Sequence, residues 1–274
     1  RMPTATPTGT IITICRNDRS PCRGRTARRP SEPKRPIVWQ LVHSSRIWSV
    51  PVRVVSANLY RGRVPATDVA ALLSELRPDV GAFQELTPEL GHVVAAHFEH
   101  GALHPREGSS GLGIGTCRPV RSEMLDLPRR PATVATLDPG TWPELGRTIK
   151  VLNVHMTHPM VFPPWRSLPE RSHQLNRIIE HADGHDAMVL GDLNAAPGWP
   201  VYRRLTRAVP DAARVAAAAR GERADPTWSL RPTGRALLRI DHVMVRGITI
   251  DDVFSVPLPG SDHRLLVADL DTDG

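Results

Sequence analysis

Lysine, cysteine and long apolar runs are scarce in this sequence, and each shortage excludes something. Its three cysteines, Cys15, Cys22 and Cys117, form neither a disulfide framework nor a metal-ligand spacing. The longest apolar stretch near the start, Pro36 to Val50, is broken by Gln40, His43 and Arg46, too short and polar for a membrane span. The Ile11-Ile12-Thr13-Ile14 patch is short and its charges follow it, which is not the order of a signal peptide. The expectation is therefore a chain with no transmembrane segment. Compartment is left open, with the cytoplasm favoured, and a monomer is expected. Lys34 and Lys150 are the only lysines among 35 basic residues, a bias that fits a GC-rich genome and carries no mechanism.

What is abundant is arginine, and its placement matters. A net charge of +7 suggests a nucleic-acid binder only until the charge is located. Residues 1–50 hold ten Lys/Arg against Asp18 and Glu32, leaving 25 basic and 26 acidic groups for residues 51–274. The body is close to neutral. Residues 1–35 are rich in Arg, Pro, Thr and Ser and cannot bury enough apolar surface to offset ordering entropy. The expected division is a basic, largely disordered tail over 1–50 and one domain over 51–274, within the size range of a single α/β unit.

From Val52 the pattern alternates between strand and helix. Val52 to Leu59 is β-branched and apolar, then meets Gly62 and Pro65, as a buried strand running into a loop would. After Thr67 as N-cap, Val69, Leu72, Leu73 and Leu76 fall on one helical face. A strand is predicted over Asp79 to Gln84, and a helix after Thr87 with Leu90, Val93 and Val94 inward. Further strands are predicted at 113–117, 133–137, 148–155, 187–190, 240–245, 248–254 and 265–270. Ser167-Leu168-Pro169-Glu170 fits a capping box, followed by a stripe of Leu175, Ile178, Ile179 and Ala182. The fold class is α/β, and no fixed-period repeat is present.

Polar residues end or interrupt these strands. Asn58 closes the first, Glu85 the second, His155 the 148–155 strand, and Asp192 and Asn194 the 187–190 strand. Asp241 lies in the 240–245 strand, and Ser261-Asp262-His263 precedes the last. In an α/β body, strand ends on one side form the ligand crevice, so residues far apart in sequence can converge. Each piece alone reads equally as a turn or cap: Gln84-Glu85 as a turn carboxylate, Gly191-Asp192-Leu193-Asn194 as an Asx turn. Strand alternation nevertheless points Asp192 and Asn194 the same way, and Gly191 permits close approach. Other motifs are weaker. Gly111-Leu112-Gly113-Ile114-Gly115 lacks the third glycine of a dinucleotide loop and reads as a small-residue strand. His181 and His185 straddle Asp183-Gly184, which marks a helix end. Trp142, Trp165, Trp199 and Trp228 read as core or loop anchors.

In order, the set resembles the endonuclease/exonuclease/phosphatase superfamily, over about Val52 to Leu270. The resemblance implies a four-layer α/β sandwich with two mixed β-sheets, deoxyribonuclease-I-like, and a site at one end of both sheets. It implies that Asn58, Glu85 and Asp262 belong to a metal site, with Glu85 the principal Mg²⁺ ligand. His155, Asp192, Asn194, Asp241 and His263 match the catalytic set. The donor chemistry agrees, because Mg²⁺ prefers one or two carboxylates, further oxygens and retained waters, and Mn²⁺ substitutes readily. Asp192 would orient or deprotonate the attacking water and Asn194 would donate to the phosphate. His155 and His263, the latter held by Asp241, would donate to phosphoryl oxygens.

Abasic-site endonucleases of the superfamily typically carry Tyr-x-Pro where this chain has His155, which disfavours that repair activity. His158-Pro159 with Arg171 to Gln174, Thr227-Trp228, and Gly260 before Ser261 are similar to a bacterial branch acting on lipid-linked phosphate. A small-molecule or lipid-linked phosphoester is therefore the favoured substrate for a metal-dependent hydrolase. A Mg-dependent nuclease on DNA or RNA ranks second, because non-specific DNA binding leans on several Lys/Arg contacts. Arg147, Arg166, Arg171, Arg203, Arg204 and Arg207 could line a basic groove, although each reads first as a solvated surface residue. A non-catalytic binding module on the same fold ranks third.

Overall fold

The computed structural model describes residues 52–160, 164–232 and 234–271, with backbone alone over 164–166. The tail expected over 1–50, and the side chains of Trp165 and Arg166, lie outside the described residues.

In chain order the first half runs β1 (Val52–Asn58), α1 (Ala66–Leu76), β2 (Val80–Gln84), α2 (Pro88–His97), β3 (His100–His104), β4 (Leu112–Thr116), β5 (Arg121–Leu125), β6 (Ala132–Leu137) and β7 (Ile149–His155). Then follow α3 (Pro164–Ala182), β8 (Asp186–Asp192), α4 (Pro200–Ala208), α5 (Ala212–Ala219), β9 (Asp241–Arg246), β10 (Thr249–Pro257) and β11 (Arg264–Asp271). One sheet has the order β10-β11-β1-β2-β4-β3 and the other β5-β6-β7-β8-β9. β1 with β2 and β7 with β8 are parallel, while the remaining pairings are antiparallel, so both sheets are mixed.

Strand alternation sorts the apolar residues into layers. Val52 and Val54 of β1, Ile149 and Val151 of β7, and Met188 and Leu190 of β8 join one core between the sheets. Their neighbours Val55 and Ala57 pack outward with Leu72, Leu73, Leu90 and Val94 of α1 and α2. On the other side, Leu152, Val154 and Val189 meet Leu175 and Ile178 of α3 and Tyr202 and Leu205 of α4. The result is the expected four-layer α/β sandwich. Burial on both faces explains why these strands read as near-continuous apolar runs rather than alternating ones. No helix of the described residues is long and apolar enough to cross a membrane.

All nine predicted strands are present, and two further strands, β3 and β5, join as outer members of the sheets. Two helix starts differ from expectation. α1 begins at Ala66 with Pro65 at the cap, whose carbonyl accepts from Asp68 and Val69, so Thr67 sits inside the first turn. α3 begins at Pro164, which places Ser167 inside the helix. Its hydroxyl donates to the Pro159 carbonyl at 3.1 Å and Glu170 pairs with Arg129 at 2.9 Å, so neither side chain acts as a capping box.

Candidate active site

The inward-facing parity that builds the inter-sheet core continues to the strand ends, where apolar side chains give way to polar ones. Along β1 the inward series is Val52, Val54, Ser56, Asn58. Along β7 it is Ile149, Val151, Asn153, His155. In the second sheet His155, Asp192 and Asp241 are direct register partners across β7, β8 and β9. The antiparallel pairing of β11 with β1 returns Asp262 and His263 to the end of β1, where the Ser261 hydroxyl donates to the Asn58 carbonyl at 3.1 Å. Two backbone features complete the end. Glu85 adopts φ 54°, turning the chain sharply after β2. Gly191 has φ 125°, and a Cβ there would sit 2.1 Å from the Val154 carbonyl oxygen, so only glycine lets β8 lie this close to β7.

All eight residues singled out in the sequence are linked by contacts of 4.0 Å or less. Asp192 is the hub. Its Oδ1 accepts from the Asn194 amide N–H at 2.7 Å, and its Oδ2 accepts from the side chains of Asn58 and Asn194, both at 3.2 Å. The same oxygen lies 3.4 Å from His155 Nε2 and 4.0 Å from His263 Nε2. His263 Nδ1 donates to Asp241 at 2.9 Å, and Asp241 also accepts from the Thr227 hydroxyl at 2.6 Å. Asn194 spends its side-chain amide hydrogens on Asp192 and, at 3.0 Å, on the Met156 carbonyl. It holds the hub in place and has no amide hydrogen spare for a phosphate.

Burial and charge set the protonation tendencies. Burial, then the neighbouring Asp241, pushes the Asp192 carboxyl up to about 7. Burial also raises Glu85, against the pull of Arg130 and Arg61. Burial, then Arg130, drives His155 well below the ordinary histidine range, keeping it neutral. For His263 burial works downward but is outweighed by Asp241, which brings it to about 10 and keeps the ring cationic at neutral pH. One neutral and one charged imidazole thus flank a carboxylate poised near neutrality.

Several supporting residues carry no strand-end signature. The Arg130 guanidinium donates to His155 Nε2 and, at 3.4 Å, reaches Ser109 Oγ. Its only sequence signal is the Arg129-Arg130-Pro131 run before β6. Arg171 is buried rather than solvated, donating to the carbonyls of Thr157 and, at 3.1 Å, Asn194. With Gln174, which accepts from the Thr157 amide at 3.0 Å, it ties α3 to the loops after β7 and β8. Trp228 is more than a loop anchor: its indole N–H donates to Asp262 Oδ2 at 3.1 Å. Behind the site, on the outward face of β9, His242 Nδ1 lies 3.2 Å from Asp211 Oδ2 and Nε2 lies 2.9 Å from the Ala195 carbonyl.

The donor set can be tested for a cation. Asp192, Asp241 and His263 present ligand atoms within 4.8 Å of one another. Yet Asp192 and Asp241 are engaged by Asn58, Asn194, Thr227 and His263, so this trio is a satisfied hydrogen-bond relay. Among the described residues four buried side-chain oxygens have no hydrogen bond, Gln84 Oε1, Glu85 Oε2, Glu170 Oε2 and Asp262 Oδ1, and the two that belong to the cluster are Glu85 Oε2 and Asp262 Oδ1. A buried carboxylate oxygen left unpaired is costly unless something positive meets it. Arg61 at 3.9 Å from Glu85 Oε2 and His263 at 3.8 Å from Asp262 Oδ1 lie beyond hydrogen-bond distance, so these two carboxylates, with the Asn58 side-chain oxygen that also accepts from the Tyr60 N–H at 3.0 Å, fit a hard divalent ion.

The Endonuclease/Exonuclease/phosphatase family profile matches residues 55–263. The chain belongs to this family of phosphoester hydrolases. Solved structures agree on the fold. The chain is similar to an endonuclease/exonuclease/phosphatase from Beutenbergia cavernae DSM 12333, at 19% identity and TM-score 0.61, covering 81% of this chain and 72% of that one. It is similar to the Neisseria 3′ phosphatase NExo bound to a product DNA hairpin, at 19% identity and TM-score 0.64, covering 80% and 99%. It is also similar to the human Nocturnin catalytic domain with a bound sulfate anion, at 19% identity and TM-score 0.62, covering 81% and 93%. No curated protein matches the sequence. At these identities the structural likeness shows the shared sandwich, while family membership rests on the profile match.

Proposed function

We propose that this family member is a divalent-metal-dependent hydrolase of phosphodiester or phosphomonoester bonds, with a small-molecule or lipid-linked phosphoester as substrate. The observation that carries the reading is the pair of open carboxylate oxygens, Glu85 Oε2 and Asp262 Oδ1, in a cluster whose other carboxylates are hydrogen-bonded. Mg²⁺, or Mn²⁺ in its place, would be held by Glu85, Asp262 and Asn58 and would supply Lewis-acid polarisation of the phosphoryl group.

The geometry supports a role for each of the remaining residues. Asp192, held by Asn58 and Asn194, orients a water and takes its proton as the new P–O bond forms and the bond to the leaving oxygen breaks. His263, kept cationic and aimed by Asp241, donates to a phosphoryl oxygen as charge builds. His155, neutral, and Arg130 sit on the opposite side of Asp192 and complete the cradle. Arg130 and Arg61 beside Glu85 keep a nuclease as the second reading, since both suit a backbone phosphate.

The test is hydrolysis of bis-p-nitrophenyl phosphate, plasmid DNA, RNA and lipid phosphates, each with Mg²⁺, Mn²⁺ or EDTA. Cleavage that EDTA abolishes is expected, strongest on a small or lipid phosphoester. Cleavage indifferent to EDTA removes the metal from the mechanism. Preference for DNA or RNA replaces the substrate class, and binding without any cleavage makes the chain a binding module.

A further inference from the structure

Eight large hydrophobic side chains are exposed among the described residues, and six of them, Met160, Leu168, Trp199, Leu230, Leu237 and Leu238, lie on segments leaving the strand ends that bear the site. Met160 and Leu168 flank the link from β7 into α3, Trp199 precedes α4 after β8, and the three leucines lie between Trp228 and the start of β9. Isolated exposed apolar residues are ordinary, but gathering at one end is what an interaction surface looks like.

The 228–238 segment is built to project. Its base is fixed by antiparallel bridges of Trp228 to Leu238 and to His263, by the Leu237 N–H on the Trp228 carbonyl at 2.7 Å, and by the Ser229 N–H on the Asp262 carbonyl at 2.8 Å. Beyond that base Leu230 is 72% exposed and Leu237 54%, with Arg231 and Arg235 exposed between them. The sequence from Pro226 to Ile240 contains no acidic residue. Neighbouring loops at the same end expose Arg61, Arg63, Arg106 and Arg129, against Glu107, Asp126, Glu89 in the first turn of α2, and Glu170, which pairs with Arg129 at 2.9 Å. The loops around the 228–238 segment are close to balanced in charge, so it is this acid-free segment that sets basic and apolar side chains together beside the opening.

We infer that this end docks onto an anionic phospholipid bilayer, with Leu230, Leu237 and Trp199 entering the headgroup–acyl boundary and the arginines meeting lipid phosphates. The mix favours lipid over nucleic acid, because leucine neither stacks on bases nor hydrogen-bonds to them, whereas a membrane interface takes both apolar and basic side chains. The inference deepens the proposed function, on which it rests for the source of the substrate, but its test needs no turnover.

The 274-residue chain is sedimented with phosphatidylcholine vesicles that contain or lack phosphatidylglycerol. Binding to the phosphatidylglycerol vesicles is expected, reduced about tenfold or more in the Leu230→Ser/Leu237→Ser double variant, with bis-p-nitrophenyl phosphate hydrolysis and thermal unfolding unchanged. Arg231→Glu/Arg235→Glu is expected to remove the salt-sensitive share of that binding. No vesicle binding, or equal binding by the leucine variant through the basic residues before 51, overturns the inference. So does duplex DNA binding that the same leucine substitutions abolish. A protein that binds vesicles but hydrolyses nothing sinks the proposed function alone, and one that hydrolyses but does not bind sinks the docking alone.

Discussion

The Gln84 side-chain amide donates to Asn153 Oδ1 at 2.7 Å across the space between the two sheets, and Asn153 in turn donates to the carbonyls of Phe83 at 2.9 Å and Gly113 at 2.7 Å. Both residues are fully buried. Gln84 immediately precedes Glu85, and Asn153 lies two residues before His155, so this polar weld fixes the offset between the metal-side and histidine-side halves of the site. Asn153→Leu removes the shortest partner of the Gln84 amide, leaving it the Ala82 carbonyl at 3.3 Å and Ser56 Oγ at 3.4 Å, and takes a donor from two buried carbonyls, at a cost of about 1–3 kcal/mol for each group left unsatisfied. Urea unfolding should show that loss, and turnover should fall further than the unfolded fraction explains. Full activity in the folded variant would mean that the sheets keep their offset by packing alone.

Much of the fold was legible because buried strands announce themselves as β-branched, apolar runs. β3 and β5 were not, since His100-Gly101-Ala102-Leu103-His104 and Arg121-Ser122-Glu123-Met124-Leu125 pack only partly and carry no alternation strong enough to read. The strand-end positions of Asn58, His155, Asp192 and Asp241 were visible for the same reason: each continues an inward-facing apolar series, whereas Glu85 follows the outward-packed Phe83 and was legible only as the polar end of the β2 run. Arg130, Arg171 and the Asp211–His242 pair were hidden because their meaning is tertiary. An arginine on a loop and an arginine on a helix look alike until the carbonyls of Thr157 and Asn194 converge on one of them.

Arg130 should act on affinity for the phosphoester. Its guanidinium is partly buried and lies beside His155, with Glu85 and Asp192 close enough to act on its charge. A hydrogen bond to a charged group is worth about 1.5–3 kcal/mol, so Arg130→Met should lower kcat/KM on the order of 10- to 100-fold. Steady-state kinetics with Arg130→Lys alongside separates charge from fork geometry: lysine should recover part of the loss and not all of it. Unchanged kinetics in both variants would remove Arg130 from the cradle.

Trp228 bears on the metal rather than on the phosphate. Its indole N–H fixes Asp262 Oδ2, leaving Oδ1 as the open oxygen. Losing a hydrogen bond that orients a ligand typically costs about 10- to 100-fold in metal affinity. Trp228→Phe should therefore shift the Mg²⁺ dependence of activity to higher concentration by that factor, with the saturated rate largely restored. Glu85→Gln should not be rescued by added metal. A Trp228→Phe enzyme whose Mg²⁺ midpoint is unmoved would show that Asp262 needs no such support.

Asp192 and His263 answer for the chemistry itself. Asp192→Asn removes the base, and His263→Ala removes the charged donor that Asp241 aims, so each should lose on the order of a hundredfold or more in rate. Asp241→Asn should approach the His263→Ala loss, because the charge that keeps His263 cationic is gone. Circular dichroism and metal binding should stay near wild type in Asp192→Asn. Retained turnover there would move the base elsewhere.

Asp211 gives the stability of the domain its pH dependence. Its carboxylate accepts from Arg239 at 2.9 Å and from the Tyr202 hydroxyl at 2.9 Å, and caps α5 through the Ala213 N–H at 3.1 Å. Burial alone would raise the acid, but the His242 hydrogen bond and the Arg239 charge outweigh it and hold it well below the usual carboxylate range. The folded value is depressed, so its stabilisation is complete above the unfolded value of about 3.9 and is lost as pH falls below that. Tyr202 works at the other limit. Burial, then Asp211, pushes its phenol up to about 12, so its contribution is complete below about 10 and is lost as pH rises through the folded value. Asp211→Asn should cost about 3–5 kcal/mol near neutral pH, because it leaves the buried Arg239 without its partner, and should flatten the acid limb. Since His242 also reaches the Ala195 carbonyl beside Asn194, the variant should lose turnover through the Asp192 loop even where it remains folded. Urea midpoints measured between acid and alkaline pH check the first effect, and kcat on folded protein the second. An acid limb as steep in Asp211→Asn as in wild type would assign the pH dependence to other carboxylates.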